Sequence, residues 1–351
     1  VRVDLSIAAT QETGLGRDLL SGIEALRGGS GGDRLSGDAA ANRLDGMQGN
    51  DTLIGRGGND RLRGGAGNDV LGGGPGDDRL QGGAGMDVAV YSGKRGVTVS
   101  LAQKGAQDIA GHGADRLSSI EGLRGGTGAD RLTGNARDNL LEGGAGADRL
   151  IGRTGSDLLI GGNGNDTLTG GGGGDTLSGG GGFDWVIYTT RRDVTVNLSL
   201  TRPQSTAEGV DLLAGIEGIR SAAGDDRLTG NSAANWLIGG GGDDLLIGGA
   251  GRDTLDGGTG DDILIGGSGA DRFVFTGGDD SIRDFDGREG DRLWLDDSIL
   301  SMVGGKTAGQ IVARWGHDLG ASVELDFGQA GSIHIQGIST LSALRDWIEV
   351  I

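Results

Sequence analysis

Residues 64–90 read GGAGNDVLG, GGPGDDRLQ, GGAGMDVAV, three lines of nine whose sixth position is Asp69, Asp78 and Asp87. Two residues after each Asp stands Leu71, Leu80 or Ala89. Six turn-forming residues followed by three strand-forming ones cannot build a helix or a long hairpin, so the chain must reverse once per line. Two reversals bring it back above itself. Residues 18 apart are therefore expected to stack as parallel strands about 4.8 Å apart. The apolar residue points inward between two thin sheets, and Gly supplies the turn conformations that side chains oppose.

The same phase extends backward to Gly28 without a slip, placing Asp33, Asn42, Asp51 and Asp60 at the sixth position before Asp69, Asp78 and Asp87. A second array opens at Gly125 with Asp130, Asn139, Asp148, Asp157, Asp166, Asp175 and Asp184. A third opens at Ser221 with Asp226, Asn235, Asp244, Asp253, Asp262, Asp271 and Asp280. The second repeat of every array carries Asn where the others carry Asp. The segments between arrays also repeat, beginning at Val1, Val97 and Val194; each pairs an alternating strand such as Val97, Val99, Leu101 with a turn-rich stretch and a second apolar cluster such as Ile120 and Leu123. The expected organisation is a linker plus array over 1–96, 97–193 and 194–284, then a different region over 285–351. Because Val1 opens a linker with no array before it, the natural sequence is expected to continue upstream.

Composition agrees with this reading. Gly makes up 80 of 351 residues, about three times the usual ~7%, which disfavours a compact α/β enzyme or helical bundle. Collagen is excluded because Gly does not fall at every third position and only 2 Pro are present. Disorder, the ordinary fate of a Gly-rich acidic chain, is countered by the fixed phase of the apolar residues. Asp outnumbers Glu 41 to 9 and the net charge is −19; this argues against nucleic acid or an anionic membrane as partner and in favour of cations. The absence of Cys rules out disulfides, thiolate metal sites and a Cys nucleophile. No apolar run approaches the ~18 residues of a transmembrane segment.

Stacking puts carboxylates in columns. Two unit charges 4.8 Å apart repel by ~0.9 kcal/mol in water and ~3.5 kcal/mol at an effective dielectric of 20, so unneutralised columns oppose folding. A hard divalent cation reverses the sign, since Ca²⁺ takes six to eight oxygens and Gly-rich turns expose backbone carbonyls. Asp pairs at i and i+18 number four in each array, giving roughly 12 candidate Ca²⁺ sites. The candidate ligands are the eighteen sixth-position aspartates named above.

These lines resemble the G-G-x-G-x-D-x-U-x repeat of the RTX, or hemolysin-type calcium-binding, proteins; GGAGNDVLG, GGNGNDTLT and GGAGRDTLD carry the likeness over 28–90, 125–187 and 221–282, and the linker element Ser21-Gly-Ile-Glu24 is similar too. The repeats opened by Gly37, Gly134 and Gly230 depart from the pattern. The resemblance implies an all-β fold, a parallel β-roll in three blocks joined by β-rich linkers. It further implies calcium held between turns by Asp side chains and repeat carbonyls, and export by type I secretion machinery.

Beyond Asp284 the period is lost: Gly falls to 10 of 67 residues and three of the five Trp appear, Trp294, Trp315 and Trp347. Alternation over Ser322–Phe327 and Ser332–Ile335 predicts antiparallel strands, and Leu341, Leu344, Ile348 and Ile351 fit a helical stripe. A β-rich cap with a short terminal helix is expected, since an array needs an end that stops edge-to-edge growth. Asp284-Phe-Asp-Gly287 and Asp346-Trp-Ile-Glu-Val-Ile351 also resemble the C-terminal secretion segment of RTX proteins.

Catalytic patterns are absent from the reading. His112, His317 and His334 lack metal spacing. Gly28-Gly-Ser30-Gly-Gly32 matches a nucleophile elbow in letters but sits in a repeat turn. Gly305-Lys306-Thr307 ends like a phosphate loop yet Leu300 stands where the first Gly is required. Adjacent pairs such as Asp225/Asp226, Asp243/Asp244 and Asp261/Asp262 recur at the repeat period and read as turn charge rather than paired catalytic carboxylates. Tyr91 and Tyr188 close their arrays and read as end-of-roll packing. The sequence thus points to a non-enzymatic, calcium-folded region of a secreted, extracellular or cell-surface bacterial protein. Two alternatives remain open: a self-associating spacer or subunit of a surface layer, adhesin or filament, and the C-terminal part of a secreted enzyme whose catalytic domain lies upstream.

Overall fold

The computed structural model describes residues 1–14, 16–296, 299, 301, 304 and 307–350. The chain divides into two units, Val1–Gly182 and Phe183–Ile351. Both are built from short strands paired in parallel at the expected step: Leu35 faces Leu53, Leu44 faces Leu62, and Leu246 faces Leu264.

In the first unit one wall runs without interruption through Arg2–Asp4, Arg34–Ser36, Thr52–Ile54, Val70–Gly72, Val88–Val90, Gly122–Arg124, Leu140–Ala145, Leu158–Asn163 and Thr176–Gly181. The facing wall is in two pieces. The first holds Ala25–Arg27, Arg43–Gln48, Arg61–Ala66, Arg79–Ala84 and Gly113–Ser118; the second holds Thr98–Ser100, Arg131–Thr133, Arg149–Thr154 and Thr167–Gly172. The segment between the arrays is therefore part of the roll. Its strand Thr98–Ser100 starts the second piece, Gly113–Ser118 ends the first against Arg79–Ala84, and Gly122–Arg124 carries the common wall forward. An antiparallel partner, Gln107–Ile109, covers the open edge of Gly113–Ser118.

Many strands are longer than the three residues expected, although others, such as Thr52–Ile54 and Arg131–Thr133, are three. Arg61–Ala66 spans the last three positions of one repeat and the first three of the next, with Leu62 and Gly64 both facing inward. Gly is needed at that inward position because a Cβ on Gly64 would collide with the side chain of Asp69. The core is a single file of side chains, Leu35 to Leu80 and Leu132 to Leu177 in the first unit, each at most 2% exposed. So thin a core supplies little apolar burial for each residue ordered.

In the second unit one wall comprises Trp185–Ile187, Gly218–Arg220, Trp236–Gly241, Thr254–Thr259, Arg272–Phe275, Arg292–Leu295 and Ile348–Val350. The other comprises Thr195–Asn197, Arg227–Thr229, Leu245–Ala250, Ile263–Ser268, Gly278–Ile282 and Gly331–Gln336. Residues beyond 284 thus continue both walls before they close them. Closure is antiparallel as expected: Ser322–Asp326 pairs with Gly331–Gln336, Val323 facing Ile335, and Gly316–Asp318 pairs beyond it.

The terminal helix is one turn, Leu341–Leu344; Ile348, which the stripe placed on the helix, lies in a strand against Leu293, and Ile351 is outside the described residues. A second helix, Ala308–Trp315, was not legible; it buries Ile311 and Val312 behind a Thr307/Gln310 capping box. Leu300, Gly305 and Lys306 of the phosphate-loop-like stretch also lie outside the described residues.

Candidate metal centre

Every one of the eighteen candidate aspartates is buried. All but Asp280, which lies within Gly278–Ile282, follow a tight turn and precede a strand, so the side chain lies over the turn one layer away. Asp51 shows the arrangement. Its Oδ1 accepts the amide N–H of Asp33 at 2.8 Å, and its own amide donates to Oδ1 of Asp69 at 2.8 Å. Its Oδ2 is buried with no hydrogen-bond donor. That oxygen and the carbonyl oxygen of Gly64 both fall within 3.0 Å of the point a Cβ on Gly46 would occupy.

The same convergence recurs beside Gly55 (Asp60 with the carbonyl of Gly73), Gly143 (Asp148 with Gly161), Gly152 (Asp157 with Gly170), Gly239 (Asp244 with Gly257) and Gly248 (Asp253 with Gly266). Two oxygens aimed at one space without a proton between them repel unless a cation stands there. Oδ2 is likewise buried and without a donor at Asp69, Asp78, Asp87, Asp226, Asp262 and Asp271. Among the described residues no three His, Cys, Asp or Glu side chains gather. The oxygens of any such site must then come one carboxylate at a time, with backbone carbonyls supplying the rest, as a hard cation accepts.

The amide-to-carboxylate ladder joins the predicted pairs 33/51, 51/69, 69/87 and 60/78. In the second array it joins 130/148, 148/166 and 157/175. In the third it joins 226/244, 244/262, 262/280 and 253/271. The remaining pair, Asp166 and Asp184, has one member in each unit.

Burial raises these carboxyls above the ordinary range, with neighbouring carboxylates adding to the shift and the backbone N–H bonds opposing it. Asp60 and Asp148 are pushed up to about 6, Asp157 and Asp253 to about 7, Asp244 and Asp280 to about 8. The columns hold ionised groups at a cost that a bound cation would remove.

Two of the three Asn exceptions share a local cause. Asn139 stacks on Glu121, whose N–H is already given to the carbonyl of Asp87. What Glu121 presents is its carbonyl, and Asn139 donates Nδ2 to it at 3.1 Å; Asn235 does the same to Glu217 at 3.2 Å. An Asp there would set a carboxylate against a carbonyl. At Asn42 the buried Nδ2 has no acceptor, so this cause covers the second and third arrays.

Sequence reasoning missed the ligands-in-kind that the linkers and C-terminal region add to the columns. Asp115 accepts from the amide of Asp78 at 2.9 Å, and Asp291 from that of Asp271 at 2.9 Å. Both are buried, and burial pushes them up to about 7 and about 6. Glu121 and Glu217 accept from Asp87 and Asp184. The signal was present: Asp115-Arg-Leu117 and Asp291-Arg-Leu293 keep the Asp-x-Leu spacing of the arrays.

The adjacent Asp pairs separate into two environments. Asp226, Asp244 and Asp262 are buried in the columns, whereas Asp225, Asp243 and Asp261 are exposed and accept the amides of residues 243, 261 and 279 at 2.9–3.0 Å. His112 packs edge-on against buried Tyr91 with ring centroids 5.2 Å apart, His334 contacts Ser322 Oγ at 2.7 Å, and His317 is exposed. Tyr188 is buried like Tyr91. No helix among the described residues is long and apolar enough to cross a membrane.

The model of the RTX calcium-binding nonapeptide repeat family matches residues 18–89, 124–186 and 221–282 in overlapping segments. No curated protein matches the chain. Among solved structures, the extracellular lipase LipA from Serratia marcescens is 22% identical, with a TM-score of 0.27, over 64% of this chain and 40% of the lipase. The chain thus spans about two fifths of that protein's length. A hyperactive, Ca²⁺-dependent, β-helical antifreeze protein from an Antarctic bacterium is 18% identical, with a TM-score of 0.23, over 78% of this chain and 85% of the other.

Proposed function

On the premise that the chain belongs to the RTX calcium-binding nonapeptide repeat family, we propose that it is a calcium-folded region of a secreted bacterial protein, without catalysis of its own. The observation that carries this reading is the set of buried Asp Oδ2 atoms without donors, those of Asp51, Asp60, Asp148, Asp157, Asp244 and Asp253 converging with a Gly carbonyl from the next layer. Bound Ca²⁺ would supply positive charge and oxygen coordination between successive turns.

The chain's own groups do the rest. Within an array, Oδ1 of an Asp such as Asp51, Asp60, Asp148 or Asp244 is fixed by the amide 18 residues earlier, which aims Oδ2 at the carbonyl. The inward Gly leaves room for that approach, and the Leu file keeps water from the strand ladder. Because the apolar core is so thin, cation binding becomes part of the folding free energy. In a low-calcium cytosol the chain would stay unfolded and fit for export, and it would fold outside the cell. We assign residues 285–351 a double role, as the end of the roll and as the segment read by a type I secretion system.

Circular dichroism of the chain titrated with calcium tests this. A β signal should appear between submillimolar and millimolar free Ca²⁺, the usual range for extracellular sites. An unchanged, fully folded spectrum in excess chelator would refute it.

A further inference from the structure

The first unit carries a feature the calcium columns do not use. On the first piece of its divided wall, Arg43 faces Arg61, Arg61 faces Arg79, and Arg79 faces Arg116 across successive parallel strands. Four arginines thus stand in line, their backbones stepped by about 4.8 Å. All four are exposed, and among the described residues none of them pairs with a carboxylate.

The face is a groove of about 510 Å³, with Lys104 of the linker among its lining residues. A second row runs beside the ladder on the same strands: Asp45, Arg63, Gln81 and Ser118, again in register. Like charges lined up at this spacing repel one another. In a chain of net charge −19 carboxylates are plentiful, yet Asp45, the one in the second row, forms no ion pair with the ladder.

We propose that this groove binds a linear acidic polysaccharide. A ladder of fixed pitch suits a ligand whose acid groups also repeat at fixed pitch, and guanidinium forks match carboxylate or sulfate oxygens two at a time. The second row, with an amide, a hydroxyl, a carboxylate and one more guanidinium, offers the donors and acceptors that sugar hydroxyls need. No aromatic residue lines the groove, so nucleobases would find no stacking platform. A local cationic cleft governs encounter even when the whole molecule is acidic. The proposal rests on the calcium reading in one respect: buried Asp60, Asp78 and Asp115 directly precede Arg61, Arg79 and Arg116, and calcium on that column would unmask the ladder's field.

The test is calorimetric titration of the calcium-loaded full chain with a linear polyuronate oligosaccharide at clamped free Ca²⁺, with a neutral glycan of the same backbone as control. The polyuronate should bind, the neutral glycan should not, and affinity should fall with added salt. Arg61→Gln/Arg79→Gln should weaken binding about tenfold or more, since it removes two ladder charges. Arg131→Gln/Arg149→Gln, which removes the two-Arg register on the other wall piece, should leave affinity unchanged.

Equal loss in both variants, equal binding of the neutral glycan, or no binding by the parent would overturn the proposal. So would variant-sensitive binding of inorganic polyphosphate without polyuronate, or sedimentation showing the groove filled by a second copy. Calcium-dependent circular dichroism of parent and variants is recorded alongside. A parent that folds with calcium but ignores the polymer defeats this inference alone; a parent indifferent to calcium defeats the reading beneath it.

Discussion

Within the second unit the third array and the residues after 284 share the same walls but close their turns differently. In the array each layer contributes one inward Leu, such as Leu246 or Leu255, and a turn whose Asp Oδ2 has no donor, such as Asp244 or Asp253. After Asp291 the walls continue through Arg292–Leu295 and Gly331–Gln336 on side chains of another kind. Phe285 packs between Phe273 and Trp347, and Phe327 packs against Phe275 and Trp315, with ring centroids 5.5–6.0 Å apart. The parallel ladder is indifferent to this change. What differs is the source of cohesion: turns whose buried carboxylates call for a cation in one region, aromatic burial in the other.

Removing calcium should break the comparison most severely. In chelator the arrays should lose amide-exchange protection at residues such as Leu246, while the Ser322–Gln336 hairpin keeps more of its own. Uniform loss across the unit would show that the C-terminal region has no independent cohesion.

Acid should act in the opposite direction to chelator. Burial lifts Asp244, Asp253 and Asp280 to about 7–8, above the unfolded value near 3.9. Their protonation therefore favours the calcium-free roll fully below about pH 4, and that contribution is lost as pH rises through 7–8. In chelator the β signal should be larger at pH 4 than at pH 8. With calcium present the order inverts, because protons compete for the same oxygens.

Leu246→Ala should cost about 2–5 kcal/mol in the calcium-loaded state, read from chemical denaturation, because the single file has no neighbouring side chain to fill the gap. Asn139→Asp should cost about 1–3 kcal/mol by turning a donor into an acceptor against Glu121. Stability equal to the parent would mean that a cation serves that layer too. The smallest effect is a gain: Arg153 sits at φ 89° at a strand position where most repeats carry Gly, and Arg153→Gly should stabilise by about 1 kcal/mol, measured as a shift in the calcium midpoint.

The repeat phase made most of the fold legible. The 18-residue register, the inward Leu file and the Asp columns all follow from a nine-residue line that must reverse. Ser322–Ile335 was legible for a similar reason, since alternation is a local signal. The helix at Ala308–Trp315 was not, because its apolar face is only Ile311 and Val312 and its caps are ordinary residues. Ile348 misled because a four-residue spacing fits a helix until Gly287 and the strand Arg292–Leu295 claim Trp347 and Ile348 for the wall. Asp115 and Asp291 were hidden by the broken period around them, although their Asp-x-Leu spacing was intact.

The sequence by itself determined the period, the register and the residue types at each turn, because a strict repeat makes every layer's neighbour a copy of itself. Tertiary structure decided what happens where the copies stop. It ran one wall of the first unit straight through the linker and divided the other, and it made Asn139 a donor by placing a carbonyl beneath it. It also brought Arg43, Arg61, Arg79 and Arg116 into one line across a linker that separates them in sequence. Those outcomes depend on which hydrogen-bonding edge the next layer presents, and no single line of nine residues contains that information.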